Sequence, residues 1–436
     1  MIGRHFSLIL LPTNECNVAC DYCFEDKTRD FLSLAELRIV TDKVLDHMER
    51  RAIDGLTIYW QGGEVMLLPP DWFVRAQAII GEAAARRGKR VRHHLQSNMI
   101  GYTPAWKAII TEMFGNRVGT SMDFPNLYRR ARGRPPEHYT RLWTRNIRAA
   151  RDAGIHLGVI AIPNAATLEL GAERFYSYFV DELGIDDFQV NTAFSGGTPT
   201  EAKRELLLDL DALSRFFVEL ADIWVERGRG RGIALGPFDE LMNHFTGRMA
   251  RLPCIWQQNC ADEFVSIDAR GQVAQCDCWV LSFPEYAFGN VFGPQTFTEL
   301  LESSPARHRF HARPERLVQD DTCLSCDYLS ICHGGCPVRA YAITGEFFVK
   351  DPYCELYKAL FSRLEAHAAP RRMRTRSRFS PSPDRAHLLK AIATASVWRT
   401  TTSSPGLTSF SRFTLSSTFT TRRLPCGPTR VTERFA

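Results

Sequence analysis

At 436 residues the chain is long enough for two domains and a sizeable core, and 44% hydrophobic with 24% charged residues is an ordinary globular composition. No stretch reaches the roughly 20 apolar residues of a membrane span, and the first residues lack the basic, apolar and small-residue succession of a secretion signal, so the expected location is the cytoplasm. The net charge of +5 belongs to the end of the chain: residues 371–436 hold 13 of the 54 Lys and Arg but two of the 49 Asp and Glu, leaving 41 basic and 47 acidic side chains elsewhere, which speaks against a nucleic-acid surface on the body.

From residue 1 to about 235, apolar strand patterns alternate with amphipathic helical ones. Strands are predicted at 6–11, 56–60, 91–96, 117–122, 156–162 and 187–192. Helices are predicted at 33–51, 71–87, 104–114, 139–153, 172–183 and 208–227. Ser33 and Glu36 have capping-box spacing, and Gly154 and Gly184 close two of the helices. Six such units imply a parallel sheet of an α/β protein, a partial (β/α)6 TIM-like barrel whose functional loops lie at the strand C-terminal ends. After a link near 228–237, residues 254–354 show short strands, glycine turns and nine cysteines. This cysteine-rich stretch has too little apolar pattern for a strong core, and bound metal would supply the missing stability. Residues 370–436 are about one-third Ser and Thr, lack periodicity and read as disordered. The predicted domains are therefore 1–235, 236–369 and a tail of 370–436.

The 13 cysteines fall at 16–23, 254–278 and 323–354, with Cys426 alone outside. In a reducing compartment such clusters read as metal ligands or redox groups rather than disulfides. Cys16, Cys20 and Cys23 form C-x3-C-x2-C directly after strand one and before Phe24. Three thiolates on one loop can hold three irons of a cubane cluster, leaving the fourth iron open. A zinc site is the alternative, usually built from paired C-x2-C knuckles and a fourth ligand close by. Gly62-Gly63-Glu64 follows strand two: the glycines permit close backbone approach and the carboxylate could take an ammonium group. Further strand ends carry Gln96-Ser97-Asn98, Ser121 and Asp123, Asn164 and Asn191, each of which also suits a turn or a cap.

The cysteine loop with its aromatic, followed by Gly-Gly-Glu, resembles the signature of the radical SAM enzymes; their Gly-Gly-Glu-Pro proline is Val65 here. Cys323-x2-Cys326-x5-Cys332-x3-Cys336 with Cys354, preceded by Gly271-x4-Cys276, matches the SPASM extension of that family. The resemblance covers about residues 5–360. It implies that Cys16, Cys20 and Cys23 hold a 4Fe-4S cluster and that Gly62, Gly63, Glu64, Ser97, Asn98, Ser121 and Tyr22 surround S-adenosylmethionine. The stretch from Ser121 to Pro125 resembles the family's Ser-Leu-Asp-Gly-Pro, without its His-Asp-x-x-Arg continuation, and leaves Arg132 or Arg134 to meet the methionine carboxylate. Val159 and Ile160 would neighbour the adenine or simply be strand core. Two auxiliary clusters are implied, one on Cys254, Cys260, Cys276 and Cys336, the other on Cys323, Cys326, Cys332 and Cys354, making three 4Fe-4S clusters in all.

The implied activity is reductive cleavage of S-adenosylmethionine, hydrogen abstraction from a substrate, and transfer of the second electron to the auxiliary clusters. The expected substrate is a side chain of a peptide or protein, oxidised or crosslinked; the expected reductant is a one-electron donor such as flavodoxin or ferredoxin; no nucleic acid and no membrane is expected as a partner. An anaerobic sulfatase maturase making formylglycine is the narrower alternative. In those maturases an aspartate directly after a cluster cysteine accepts a substrate proton, and Asp277 after Cys276 stands at that position, where it could equally be a solvated loop residue. Cys278 is left over, as a local buried thiol rather than a substitute ligand. A non-catalytic zinc or iron–sulfur module that docks a partner is the alternative of a different class.

Overall fold

The computed structural model describes residues 4–369 apart from 194, 198, 249–250 and 318–319. The predicted tail and Cys426 lie outside the described residues. The first strand, β1 (Arg4–Leu10), owes its place to Leu8, Ile9 and Leu10, which are buried whichever face of the sheet they point to. That is the signature of a strand covered on both sides. It lies parallel to β2 (Ile53–Trp60), and β2 to β3 (Arg90–Leu95). A second parallel run holds β4 (Arg117–Ser121), β5 (His156–Ala161), β6 (Asp187–Val190) and β7 (Ala234–Gly236), in that order. A bridge between Gln96 and Gly119 and the Ser97 N–H to Gly119 carbonyl bond (2.9 Å) join the two runs.

The helices on the outside repeat the apolar periodicity of the sequence. Helix α1 (Leu34–Arg50) starts at Ser33 with the capping box to Glu36 and buries Leu37, Val40, Val44, Leu45 and Met48. Helices α2 (Pro70–Arg86), α3 (Trp106–Met113), α4 (Pro136–Asp152) and α5 (Ala165–Ser177) follow β2 to β5 in turn. A short α6 (Glu201–Glu205) precedes α7 (Leu210–Ile223), and α8 (Phe238–Phe245) follows β7. Among the described residues, no helix is long and apolar enough to cross a membrane.

Two parallel strands add to the six read from the sequence. One is β7, which runs across the predicted boundary at 235. The other is β8 (Val265–Ile267), from the cysteine-rich stretch, which pairs parallel with β1 through Leu8, Ile9 and Leu10. Antiparallel β9 (Gln272–Ala274) and β10 (Gly289–Asn290) continue that sheet outward. Residues 4–368 thus pack as one compact unit, with the cysteine-rich region built onto the barrel's own sheet. The last helix, Cys354–Ala368, lies against α7, where Arg363 grips both oxygens of Asp222 (2.6 and 2.7 Å) and His367 reaches one of them.

Candidate active site

The three clustered thiols sit on the loop that leaves β1. Irregular backbone there is satisfied by the loop after β4: Ala19 N–H donates to the Arg130 carbonyl (2.8 Å), Asp21 N–H to that of Tyr128 (3.0 Å), and Arg130 pairs with Asp21. Arg132 donates to the Cys16 carbonyl at 2.9 Å. Cys16 is buried, and burial pushes its thiol up to about 12; burial also pushes Cys20 up to about 11. Such thiols keep their protons in the metal-free chain and give them up on coordination. Asn98 Nδ2 stands 3.8 Å from Cys16 Sγ and 2.7 Å from Asn17 Oδ1.

The Gly-Gly-Glu motif is fitted to this loop. Gly62 has φ +128, and a Cβ on it would lie 2.6 Å from the Thr13 carbonyl; one on Gly63 would overlap the Glu15 carbonyl. Gly63 N–H donates to Thr13 (3.0 Å) and Glu64 N–H to Glu15 (2.8 Å). The close approach the glycines allow is that of the cysteine loop's own backbone. Glu64 is 2% exposed, and its carboxylate accepts from Ser97 Oγ (2.7 Å), Met66 N–H (2.9 Å) and Asn98 N–H (2.7 Å). Burial raises its pKa although these donors oppose it. Gly62, Gly63, Glu64, Ser97 and Asn98 therefore form one bonded cradle beside Cys16. Ser121 adjoins it through Gln96, whose Nε2 donates to Ser121 Oγ at 3.1 Å.

Tyr22 and Asp123 belong to a group the sequence did not reveal. Tyr22 donates to Asp123 Oδ2 (2.6 Å), and Arg129 holds both Asp123 oxygens at 2.9 and 3.2 Å. The guanidinium also lies 5.3 Å from the Tyr22 ring centre, and Ile162 N–H donates to Asp123 Oδ1 (3.0 Å). Of the arginines expected at this loop, Arg132 touches the cysteine loop backbone and Arg134 closes a turn with its N–H on Ala131, while buried Arg129 neutralises Asp123. The signal that could have found it was Asp123 itself, since a carboxylate carried inward at a strand end needs a countercharge. Asn164 caps α5, Val159 is core, and Asn191 accepts from Gln189.

The later cysteines gather in two sets. Cys254 and Cys260 both feel the charges of Cys276 and Cys336, and burial raises the pKa of Cys254, Cys260 and Cys336. Cys278 is hydrogen-bonded to Cys276; the two sulfurs and an Asp277 carboxylate oxygen lie within 4.8 Å of one another. Cys323, Cys326, Cys332 and Cys354 line a single small cavity with Gly334, Lys350, Asp351 and Lys358. Cys336 thus stands apart from its sequence neighbours. Asp277 bonds the side chain of Gln61 at the end of β2, and its pKa is pushed up to about 6 by burial first and the charge of Glu25 second. Ser282, further along the same turn, donates to the Phe24 carbonyl at 2.8 Å. The first cysteine set is thereby held against the exit of the N-terminal cysteine loop. Gln61 is shared with a cavity in the barrel lined also by Tyr59, His94, Gln96, Ile160 and Phe264.

Residues 10–165 match the family model of the radical SAM superfamily. They are a radical SAM domain. Its cofactors are a 4Fe-4S cluster and S-adenosylmethionine, and the donor set fits them: three thiols on one loop, with a polar, glycine-bearing cradle beside them. The radical SAM enzyme is 23% identical over 355 residues to the serine-type anaerobic sulfatase-maturating enzyme of Bacteroides thetaiotaomicron, covering 76% of this chain and 82% of that protein. It is 24% identical over 367 residues to the cysteine-type enzyme of Clostridium perfringens (strain 13 / Type A), covering 81% and 95%. Among solved structures, anSMEcpe with bound AdoMet superposes with a TM-score of 0.69 at 21% identity, covering 84% of this chain and 98% of that one. Streptococcus suis SuiB bound to precursor peptide SuiA gives 0.51 at 15% identity, covering 81% and 76%. The structures share the fold. The curated relatives it resembles are anaerobic sulfatase-maturating enzymes.

Proposed function

We propose that this enzyme cleaves S-adenosylmethionine reductively and uses the resulting radical to oxidise or crosslink a side chain of a peptide or protein, in a reducing, cytoplasmic setting with a flavodoxin- or ferredoxin-type electron donor. Cys16, Cys20 and Cys23 would hold the 4Fe-4S cluster, and two further clusters would rest on the two later cysteine sets. Together these groups would supply one-electron chemistry: reductive cleavage at the first, and a place for an electron from the substrate at the others. The chain's own residues do the rest. Gly62 and Gly63 let the cradle close on the cysteine loop, Glu64 ties the ends of β2 and β3 into one rigid frame, and Ser97, Asn98, Ser121 and Tyr22 border it.

The observation that carries the reading is Asp277. A residue of the cysteine-rich region reaches Gln61 on the wall of the barrel cavity, close to Glu25 at the end of the N-terminal cysteine loop. There its carboxylate would take the proton a substrate side chain must lose on oxidation. Support for a peptide substrate comes from the relatives: anSMEcpe has been crystallised with the Cp18Cys peptide and SuiB with SuiA.

The narrower reading, maturation of a sulfatase by turning Cys or Ser into formylglycine, is favoured by Asp277 directly after Cys276 and by the sulfatase-maturating relatives. The test is anaerobic incubation of the reconstituted enzyme with S-adenosylmethionine, a reductant and sulfatase active-site peptides bearing Cys or Ser, followed by trapping with a hydrazide. A trapped aldehyde supports formylglycine formation. 5′-Deoxyadenosine without aldehyde rejects the maturase while leaving the broader reading standing; no 5′-deoxyadenosine rejects both.

A further inference from the structure

Between the two later cysteine sets lies a buried cation. Arg313, on the helix Pro305–Leu317, is 5% exposed. Its guanidinium spends its donors on neutral acceptors: Nε on the Phe347 carbonyl (3.0 Å), Nη1 on Gly335 (3.2 Å), and Nη2 on Val349 (2.7 Å) and Gly334 (3.5 Å). Gly334 and Gly335 are the hinge between Cys332 of one set and Cys336 of the other. Both have positive φ, as has His333, so the chain makes a tight left-handed turn at this point. A Cβ on Gly334 would overlap Leu317 and one on Gly335 would overlap Asp351, so the turn is gripped from both sides.

The charge of Arg313 has no ordinary explanation. Asp351, the carboxylate it feels, is engaged elsewhere: it accepts from Cys336 N–H (2.9 Å) and Tyr357 (2.9 Å) and lies 3.9 Å from Arg339. A buried guanidinium bonded to carbonyls alone is costly unless negative charge stands nearby. Arg313 feels Cys260 and Cys336 of one set and Cys332 of the other. Protonated thiols would not compensate it, whereas thiolate-ligated clusters, which are anionic, would do so from both sides.

We propose that Arg313 is a positioning residue that clamps the Gly334–Gly335 turn and, as a shared countercharge, raises the reduction potential of both auxiliary clusters. This rests on the reading that each later cysteine set holds a cluster. Net charge and hydrogen bonding around a cluster are among the terms that set its potential. A cation placed between two of them stabilises the reduced state of each. Losing it should therefore lower both potentials together, a coupling that a residue serving one site alone would not produce.

The experiment uses the full chain carrying Cys16→Ala, Cys20→Ala and Cys23→Ala, reconstituted anaerobically so that only the later cysteines bind iron. Potentials are read by EPR-monitored redox titration, beside iron and sulfide counts. With Arg313→Gln we expect both potentials to fall by a tenfold shift in the reduction equilibrium, about 59 mV for one electron. Arg313→Lys, which keeps the charge, should stay near the parent. Unchanged potentials in Arg313→Gln with iron retained, or a fall at one cluster alone, overturn the proposal. If Arg313→Gln loses iron, Arg313→Lys decides. Iron retained at parental potentials upholds the countercharge, whereas iron lost there too shows a role in shape alone and overturns it. A parent chain with far fewer than about eight irons defeats the two-cluster reading instead, before any Arg313 variant is compared.

Discussion

The thiols at the barrel mouth come from one short loop, Cys16 to Cys23, whereas those of the cysteine-rich region are strung from Cys254 to Cys354 and meet only on folding. The first group has three thiols, and its neighbours are small or polar: Gly62, Gly63, Glu64, Ser97 and Asn98. Of the later cysteines, Cys260, Cys276, Cys332 and Cys336 pack against a core of large apolar side chains. Trp256 packs on Tyr357 and Phe361, and Trp279 on Phe283, Tyr286 and Phe310. An incomplete donor set in a polar cradle leaves room for a ligand to exchange. Two sets of four thiols, the second lined also by Lys350, Asp351 and Lys358, would favour storage of charge over exchange of a ligand. On the proposed reading, the same residue type would serve reaction in one place and charge storage in the other, according to what surrounds it.

The largest expected effect falls on the three-thiol site. Replacing Cys16, Cys20 and Cys23 by Ala should abolish 5′-deoxyadenosine formation, read by chromatography, while about two-thirds of the bound iron remains. Loss of all iron would mean that the two regions are not independent. Next, Asp277→Asn should leave S-adenosylmethionine cleavage intact and slow product formation by roughly 10²-fold or more, the usual scale for a lost proton acceptor. Equal loss of both would place Asp277 in the framework instead.

A smaller effect sharpens the account of the cradle's support. Arg129→Met strands the buried Asp123 carboxylate and should cost about 3–5 kcal/mol in denaturant unfolding. Adding Asp123→Asn should recover part of that, because removing both partners leaves no unpaired charge. The smallest effect concerns the seam between barrel and cysteine-rich region. His47 on α1 bonds Thr298 (2.9 Å) between the rings of Phe6 and Phe297, and burial first, then the charges of Arg51 and Arg307, lowers its pKa to about 4. The neutral ring is thus the folded form. Its contribution is complete above about 6.5, the unfolded value, and is lost as pH falls from there through about 4. On the order of 3 kcal/mol of acid-side stability loss should disappear in His47→Gln, measured by thermal unfolding across that range.

The sequence carried the six main strands because their apolar runs and the amphipathic helices between them are local patterns. It did not carry β7, whose Ala-Leu-Gly stands between Gly232 and Pro237 and reads as a link. Nor did it carry the pairing of β8 with β1, because a partner some 250 residues away leaves no local trace. The beginning of α5 was missed because Gly171, at φ +81, interrupts the helical pattern within it. At the site, cysteine spacing and Gly-Gly-Glu were legible because their chemistry restricts residue type. What Tyr22 and Arg129 do was not, since a tyrosine or arginine fits many surfaces and only burial against Asp123 assigns these two a task. Glu64 was legible as a carboxylate at the right place, but two of its three donors, Ser97 Oγ and Asn98 N–H, come from the loop after β3, which only the fold brings to it.

On the proposed reading, one chain joins a reactive three-thiol site to two four-thiol sites. The most direct measurement is metal analysis of the anaerobically reconstituted wild-type chain, paired with an assay for 5′-deoxyadenosine after reduction in the presence of S-adenosylmethionine. About 12 irons per chain with matching sulfide, and 5′-deoxyadenosine formed on reduction, are the expected result. Zinc in the later cysteine sets, or an iron count near four, would contradict it.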